Sequence, residues 1–399
     1  MQAPDKAILS DDVRKQNRFR ILRAFRQTPS LSRTQLAEIT GLSPGTISNI
    51  TTQLLADGIL RIAEPDSAPD IRQGRPRVQL MLNAGHATIV SGSLTYGRLT
   101  LRLADYAGDK IASATQDFDT EGKTAQQVAD GISALIRQTS GGRQADILCF
   151  GVQGTTAKDN SGVLWSPILS EDGCAFATAL AKKTGAPVLV ENDCALITRA
   201  IDQRQGGQMT TFGAVLMSYG IGMGLYVNGT LFSGQQSSAT EFGHLPYRPG
   251  GAQCRCGKKG CIEAYASDYA IWRAATGMDQ SLLPRSPVSP DMIRSVIDRA
   301  AAGDGPERAA LLEASRALGI GLATLFALFD PFPVVFIGPG SALVSVMEEE
   351  LRSTLRENFR FKQRPHLTFQ TEADEITLTE QGAGIAALDR LDRIVAYGS

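Results

Sequence analysis

Residues 241–263 read E-F-G-H-L-P-Y-R-P-G-G-A-Q-C-R-C-G-K-K-G-C-I-E. Cys254, Cys256 and Cys261 fall within eight residues of each other, and His244 lies ten positions before the first of them. Three thiolates and one imidazole make a closed, soft donor set, which suits a tetrahedral structural Zn²⁺ and leaves no open position for water. Gly257 and Gly260 let the chain double back so that three sulfurs converge on one ion. The competing reading, three buried thiols in a loop, fits poorly with a turn rich in Gly and Lys. The expected cofactor is one structural Zn²⁺ per chain, held by His244, Cys254, Cys256 and Cys261. Glu241 and Glu263 flank this knuckle as spare acceptors, placed to hold hydroxyl groups.

Working outward, 399 residues suffice for two or three domains, each with its own core. Hydrophobic residues at 43% and charged residues at 20% are an ordinary globular balance. No apolar run reads as a membrane span and the first residues are charged rather than signal-like, so a cytoplasmic protein is expected. Cys149, Cys174 and Cys194 are scattered through apolar segments and read as reduced core thiols rather than a disulfide framework. The net charge of −1 does not point to nucleic acid, but residues 1–80 carry 12 Lys/Arg against 8 Asp/Glu. A basic excess confined to one end suits a DNA-binding module on an acidic body, although a solvated helix face would look similar.

The first eighty residues carry helix signals in close order. Over 12–28, Val13, Phe19, Leu22 and Phe25 recur at helical spacing among six basic residues, and Pro29 ends the run. Ser32 and Gln35 form a capping box, with Leu36 and Ile39 expected on the buried face. Ser43 is the expected N-cap and Pro44 the first residue of a third helix, which turns Ile47, Ile50, Leu54 and Leu55 inward. Ser43, Gly45, Thr46, Ser48 and Asn49 then lie on its outer N-terminal part, small and polar enough to approach base edges and phosphates. A helix, a tight turn and a second helix is helix-turn-helix geometry, against the plainer alternative of a helical bundle with one polar face. Residues 57–60 open a strand, and a wing containing Arg75 and Arg77 in a Gly-Arg-Pro-Arg strip suits the minor groove.

From residue 84 the pattern turns β-rich. Strands are expected over 87–94, 98–104 and 111–118, then a helix over 124–138 and a buried strand over 147–152. Later come a helix over 319–329, a strand over 334–337 and a helix over 382–391. Residues 281–290, with three prolines, read as a loop.

The Glu-x-Gly-His element followed by Cys-x-Cys-Gly-x-x-Gly-Cys-x-Glu resembles the signature of the ROK family of sugar kinases and sugar-responsive repressors, residue for residue. Pro187-Val-Leu-Val-Glu-Asn192-Asp193 resembles that family's strand ending in Asn-Asp. The N-terminal segment, with its Gly-Arg-Pro element, is similar to the winged helix of ROK repressors. The resemblance implies an α/β chain: a winged helix-turn-helix over 1–82 followed by a two-lobed actin-like ATPase (ROK sugar-kinase) fold. The smaller lobe would take 83–197 together with a C-terminal helix over 382–397, and the larger lobe 198–381. It also implies that Asn192, Asp193, Glu241, His244 and Glu263 hold a monosaccharide or a derivative.

The phosphate-binding loops that the resemblance would require of a kinase are altered. Where the family has Asp-x-Gly-Gly-Thr, this chain has Ser93-Leu94-Thr95-Tyr96-Gly97. Where it has Gly-Thr-Gly-x-Gly-Gly-Gly, this chain has Ser218-Tyr219-Gly220-Ile221-Gly222-Met223-Gly224. The usual Gly-Gly pair near the adenosine reads Gly338-Pro339-Gly340, and Ile168 replaces an Asn in a loop that shapes the sugar pocket. The expectation is therefore a non-enzymatic, sugar-responsive regulator of carbohydrate metabolism or uptake. It would bind double-stranded operator DNA as a homodimer or homotetramer, without a membrane partner. The alternative is an active ATP-dependent sugar kinase with an appended DNA head and Asp193 as its base; a third reading is a regulator controlled by a partner protein.

Overall fold

The computed structural model describes residues 10–64, 78–235, 240–283, 288–359 and 367–398. The chain opens with helices α1 (Ser10–Gln27), α2 (Arg33–Thr40) and α3 (Pro44–Ala56). The local signals act as read. Ser32 Oγ accepts from Gln35 N at 3.3 Å while Gln35 Oε1 accepts from Ser32 N at 2.9 Å. Gly41 closes α2 at φ 68°, a left-handed conformation that favours glycine, and Ser43 caps α3 at Thr46 N. Ile21, Leu22, Phe25, Leu36, Ile47, Ile50 and Leu54 are buried together. Ile39 departs from expectation at 53% exposed; α2 is only eight residues long and meets its neighbours along the Leu36 side. Strands Ser30–Ser32 and Leu60–Ile62 both pair antiparallel with Gln79–Leu82, which makes the three-stranded sheet of a winged helix. The wing residues Arg75 and Arg77 lie outside the described residues.

Two five-stranded sheets follow with the same topology. In the first, Thr88–Thr95, Arg98–Asp105 and Lys110–Asp117 form an antiparallel meander. Ile147–Val152 then pairs in parallel with Thr88–Thr95, and Val188–Asn192 in parallel with Ile147–Val152. In the second, Phe212–Met217, Ile221–Val227 and Thr230–Leu231 make the meander, and Val334–Ile337 and Phe369–Glu372 add in parallel. The repeated topology is that of an actin-like, two-lobed kinase fold. Residues buried on both faces, as throughout Ile147–Val152 and Phe212–Met217, are what parallel central strands require.

Two helices are longer than their sequence periodicity suggested. The helix expected over 319–329 starts at Pro306, and the one expected over 382–391 runs Glu375–Tyr397. Their extra turns mix charges with buried Ala, Leu and Ser, so the apolar stripe is diluted although the packing is continuous. Pro306–Phe329 is also long and apolar enough to cross a membrane by length and composition, contrary to the expectation that no segment would be. Over half of its most apolar window is buried in the large-lobe core, beside Ile262, Tyr269 and Phe336.

The winged helix is not a separate bead. Its buried residues Leu80 and Leu82 share one cluster with Ile89, Tyr106 and Ile147 of the first lobe and Ala386, Ala387 and Leu391 of the Glu375–Tyr397 helix. That helix also packs against Asp193–Arg204, where a Cβ added at Gly382 would lie 2.0 Å from Leu196 O. The backbones touch there, and only glycine permits it.

Candidate functional site

Asn192 ends a parallel strand and caps the helix Asp193–Arg204. The side chain at such a strand end faces a crevice, as in other open α/β sheets. One cavity between the lobes is lined by Asn192, Asp193, Glu241, His244 and Glu263, so the tertiary fold brings together all five residues expected to hold sugar. They differ in how free they are. Asn192 already donates to Gly154 O at 2.8 Å and accepts from Ala195 N at 3.2 Å, leaving one donor and one acceptor site. Glu263 is buried and holds three groups: Ile221 N on Oε2, and Tyr269 OH and Cys254 Sγ on Oε1. Glu241 stands exposed at the rim, where it accepts from Thr155 Oγ1 at 3.2 Å across the cleft and lies 3.7 Å from His244 Nε2.

Asp193 is buried and accepts a hydrogen bond from the Cys194 N–H. Burial pushes its carboxyl up to about 6, a rise limited by the Cys194 N–H that it accepts at 2.8 Å. A folded-state value above the ordinary carboxylate range makes ionisation a cost to the fold. That cost is absent below about pH 4, grows as pH rises, and is complete above about pH 6. Asp193→Asn should therefore raise the stability of the sugar-free protein at pH 7.5 by on the order of 1–2 kcal/mol, with little effect at pH 4, as read by urea unfolding at the two pH values. A sugar hydroxyl donating to the carboxylate favours the ionised form, so sugar affinity should increase between pH 5 and pH 7.

The metal cluster is preformed. The donor atoms of His244, Cys254, Cys256 and Cys261 all lie within 4.8 Å of one another. Cys254 Sγ is 3.8 Å from His244 Nδ1, and Cys256 Sγ is 3.8 Å from Cys261 Sγ. Tetrahedral bonds of about 2.3 Å place sulfurs about 3.8 Å apart, so the donors fit a single tetrahedral ion. Cys254 and Cys261 are buried beside Ile262 and Tyr269, and His244 joins the two sides of the loop, with Nδ1 toward the thiols and Nε2 toward Glu241.

Beside this first cavity lies a second inter-lobe cavity of about 290 Å³, lined by Tyr96 and Arg98 from the first hairpin and Ser218, Tyr219, Asp268, Gly340 and Glu375 opposite. Here the altered loops meet. The Tyr96 and Tyr219 rings stack with centroids 5.1 Å apart, joining the lobes where phosphate loops would stand open. The Arg255 guanidinium lies 3.7 Å over Tyr219 and 4.2 Å from the Tyr269 ring centre, and donates to Tyr219 O at 2.6 Å. Burial pushes both Asp268 and Glu375 up to about 7, with Asp193 adding to the effect on Glu375. Stacked rings and carboxyls in place of open glycine amides are a poor cradle for a polyphosphate. The remaining glycines of the second loop serve packing instead: a Cβ at Gly224 would lie 1.9 Å from Thr198 Oγ1.

No sequence signal marks Thr155, which lines the first cavity, or Glu375 beside Asp193, and Arg255 stands at the variable position of the Cys-x-Cys element. Trp165 lies in the loop expected to shape the pocket. Ile168, expected to reshape the pocket, is buried in the small-lobe core, and its neighbours Trp165 and Pro167 face the cavity. On α3, Ser43, Gly45, Ser48 and Asn49 are exposed and Thr46 half-buried, its hydroxyl 2.9 Å from Ser43 Oγ. They form one small polar surface at the start of the recognition helix.

Comparison with known proteins agrees with this arrangement. Residues 95–385 match the family model described as the ROK family, and residues 14–61 match that of a winged helix-turn-helix DNA-binding domain. The xylose repressor of Caldicellulosiruptor bescii is 23% identical over 353 residues, covering 86% of this chain and 87% of that protein. The DNA-binding transcriptional dual regulator NagC of Escherichia coli K12 is 23% identical over 336 residues, covering 82% and 81%. A crystal structure of a ROK family transcriptional regulator, a homologue of the E. coli Mlc protein, superposes with a TM-score of 0.79 at 22% identity, covering 97% of this chain and all of that one.

Proposed function

The chain belongs to the ROK family and joins that family's domain to a winged helix-turn-helix, and from this pairing we infer that it is a sugar-responsive DNA-binding transcriptional regulator rather than a kinase. The observation that carries the reading is the contrast between its two cavities. The sugar-side residues Asn192, Asp193, Glu241, His244 and Glu263 share one pocket, while Tyr96 and Tyr219 stack in the place of open phosphate loops. It acts as a repressor of carbohydrate uptake or metabolism. The working units are the winged helix (1–82), the small lobe (83–197 with 382–397) and the large lobe (198–381).

Operator recognition falls to Ser43, Gly45, Thr46, Ser48 and Asn49, with Arg75 and Arg77 adding backbone affinity from the wing. The protein works in the cytoplasm as a homodimer or homotetramer, because two heads on one assembly match the two half-sites of an operator. One structural Zn²⁺ held by His244, Cys254, Cys256 and Cys261 shapes the sugar side. When bound, the ion supplies a fixed tetrahedral node, around which His244 and Glu263 are oriented.

The test is a thermal-shift series with D-xylose, D-glucose, N-acetyl-D-glucosamine and their phosphates, since a ligand that binds only the folded state raises its stability. One of them is expected to stabilise the protein and to change its affinity for a duplex selected from a random pool. ATP-dependent phosphorylation of that sugar, abolished by Asp193→Ala, would favour the kinase; operator binding indifferent to every sugar would favour control by a partner protein.

The DNA surface makes its own prediction. Asn49→Ala or Ser48→Ala should cost about 1–3 kcal/mol of discrimination between the selected duplex and an unrelated one. Arg75→Ala with Arg77→Ala should weaken both duplexes alike and flatten the salt dependence by about two ions. Duplex binding by a chain lacking residues 1–82 contradicts the assignment.

A further inference from the structure

We propose that Arg26, Tyr106 and Asp392 form the joint through which the inter-lobe cleft sets the posture of the DNA-binding helices, and so are positioning residues for operator binding. The inference rests on the sugar-responsive reading above and adds the residues that carry the response. Arg26 is the penultimate residue of α1. Its guanidinium donates through Nε and Nη2 to the two oxygens of Asp392, at 2.9 and 2.7 Å, and through Nη1 to Tyr106 O. It also lies 4.5 Å over the Tyr106 ring, whose hydroxyl donates to Asp392 Oδ1 at 2.7 Å. Asp392 is 1% exposed and Tyr106 fully buried. Three parts of the chain meet here: the DNA head, the end of a small-lobe strand, and the helix Glu375–Tyr397.

A buried ion pair is a weak stabiliser, because desolvation offsets most of its attraction. Its geometry is nevertheless strict. A bidentate fork tolerates little rotation, whereas the apolar contacts around it can slide. Arg26 thus sets the angle at which α1 leaves the body. Phe19 against Tyr397, with Arg393 over the Phe19 ring, extends the same contact along α1. Along the same helix, Ile21, Leu22 and Phe25 pack in one cluster with Leu36 of α2 and Ile47 and Ile50 of α3.

The far end of the 23-residue helix lies in the cleft: Glu375 stands 17 residues before Asp392, roughly 26 Å away at 1.5 Å per residue. Glu375 accepts from Ser218 Oγ and lines a small inter-lobe cavity with Ser93, Gln153 and Asp193. Between the two ends the helix has no slack. Gly382 rests on the backbone of Leu196, one turn along the helix that begins at Asp193, and Thr379 fills the space above Gly151. A shift of the Asn192–Asp193 corner on sugar binding therefore moves Leu196, then the long helix, then Asp392, and through the fork α1.

The test removes the three polar side chains of the joint together, so that only the Tyr106 carbonyl loses a donor: Arg26→Met, Tyr106→Phe and Asp392→Leu in one full-length chain, with Arg26→Lys as a second, milder variant. For each, the affinity for the selected duplex is measured with and without whichever of D-xylose, D-glucose or N-acetyl-D-glucosamine stabilises the unaltered protein most. Binding of that sugar is followed separately by thermal shift. The expected result is unchanged sugar binding, with the ratio of duplex affinities falling on the order of tenfold in the triple variant and less in Arg26→Lys. A merely structural role would lower the melting temperature and leave that ratio intact, and this outcome overturns the inference while the sugar-responsive reading stands. If no sugar stabilises the unaltered protein, that reading falls, and the joint with it.

Discussion

Cys256→Ser is expected to empty the metal site and to open the loop from Glu241 to Glu263, while the winged helix stays folded. Four donors converge on one position, and losing one thiolate leaves three and opens the closed set to water, which weakens the hold on the ion. In small zinc domains the metal supplies on the order of 10 kcal/mol of folding free energy, far more than one mutated contact. Here the loop is anchored by buried Cys254, Cys261 and Ile262 in the large-lobe core, so the damage should remain local. The loop carries His244 and Glu263, and Glu263 in turn holds Ile221 N and Tyr269 OH. Sugar stabilisation should therefore vanish together with the metal. Elemental analysis of the unaltered protein should find one zinc per chain, and limited proteolysis of the variant should cut within 241–263. Unaltered, fully active protein without stoichiometric metal contradicts the assignment.

Glu241→Ala and Asp193→Asn are each expected to weaken sugar binding ten- to a hundredfold. A hydrogen bond to a charged group contributes on the order of 1.5–3 kcal/mol. The two residues approach the pocket from opposite lobes, Asp193 from the floor and Glu241 from the rim, where Thr155 already bridges to it. A sugar that engages both bridges the lobes, so losing either residue should reduce closure as well as affinity. Calorimetric titration of the stabilising sugar measures the first effect, and the sugar-dependent change in duplex affinity measures the second. Duplex binding without sugar should be unaltered, since neither residue touches the head. Loss of sugar-free duplex binding in either variant would show that these residues hold up the fold rather than the ligand.

What was legible in the sequence was local. The capping box of Ser32 and Gln35, the Ser43–Pro44 start of α3 and the Cys-x-Cys spacing all act between residues a few positions apart, so spacing alone specifies the contact. The strand Ile147–Val152 was legible for a related reason: a segment buried on both faces must be apolar throughout. The five residues expected to hold sugar line one cavity, Asn192 and Asp193 from a strand end and Glu241, His244 and Glu263 from the knuckle that folds over it.

Other features rest on contacts between distant parts of the chain, which no periodicity encodes. Arg26 and Asp392 are 366 residues apart. In sequence, Arg26 is one of six basic residues on α1, and nothing distinguishes it from those facing solvent. Tyr96 read only as the loss of a glycine and Tyr219 only as the loss of a threonine; that the two rings stack on one another is decided by how the lobes close. Asn192 read as a sugar ligand, and the structure adds that half of its hydrogen-bonding capacity is held by Gly154 and Ala195. Ile39 read as core and is 53% exposed, because the short α2 turns Leu36 into the cluster and leaves Ile39 on an open surface cavity beside α1. Residue type and spacing thus determined the winged helix, the knuckle and the strands of this protein. The packing of one lobe on the other, and of both on a single long helix, decided which of those residues touch.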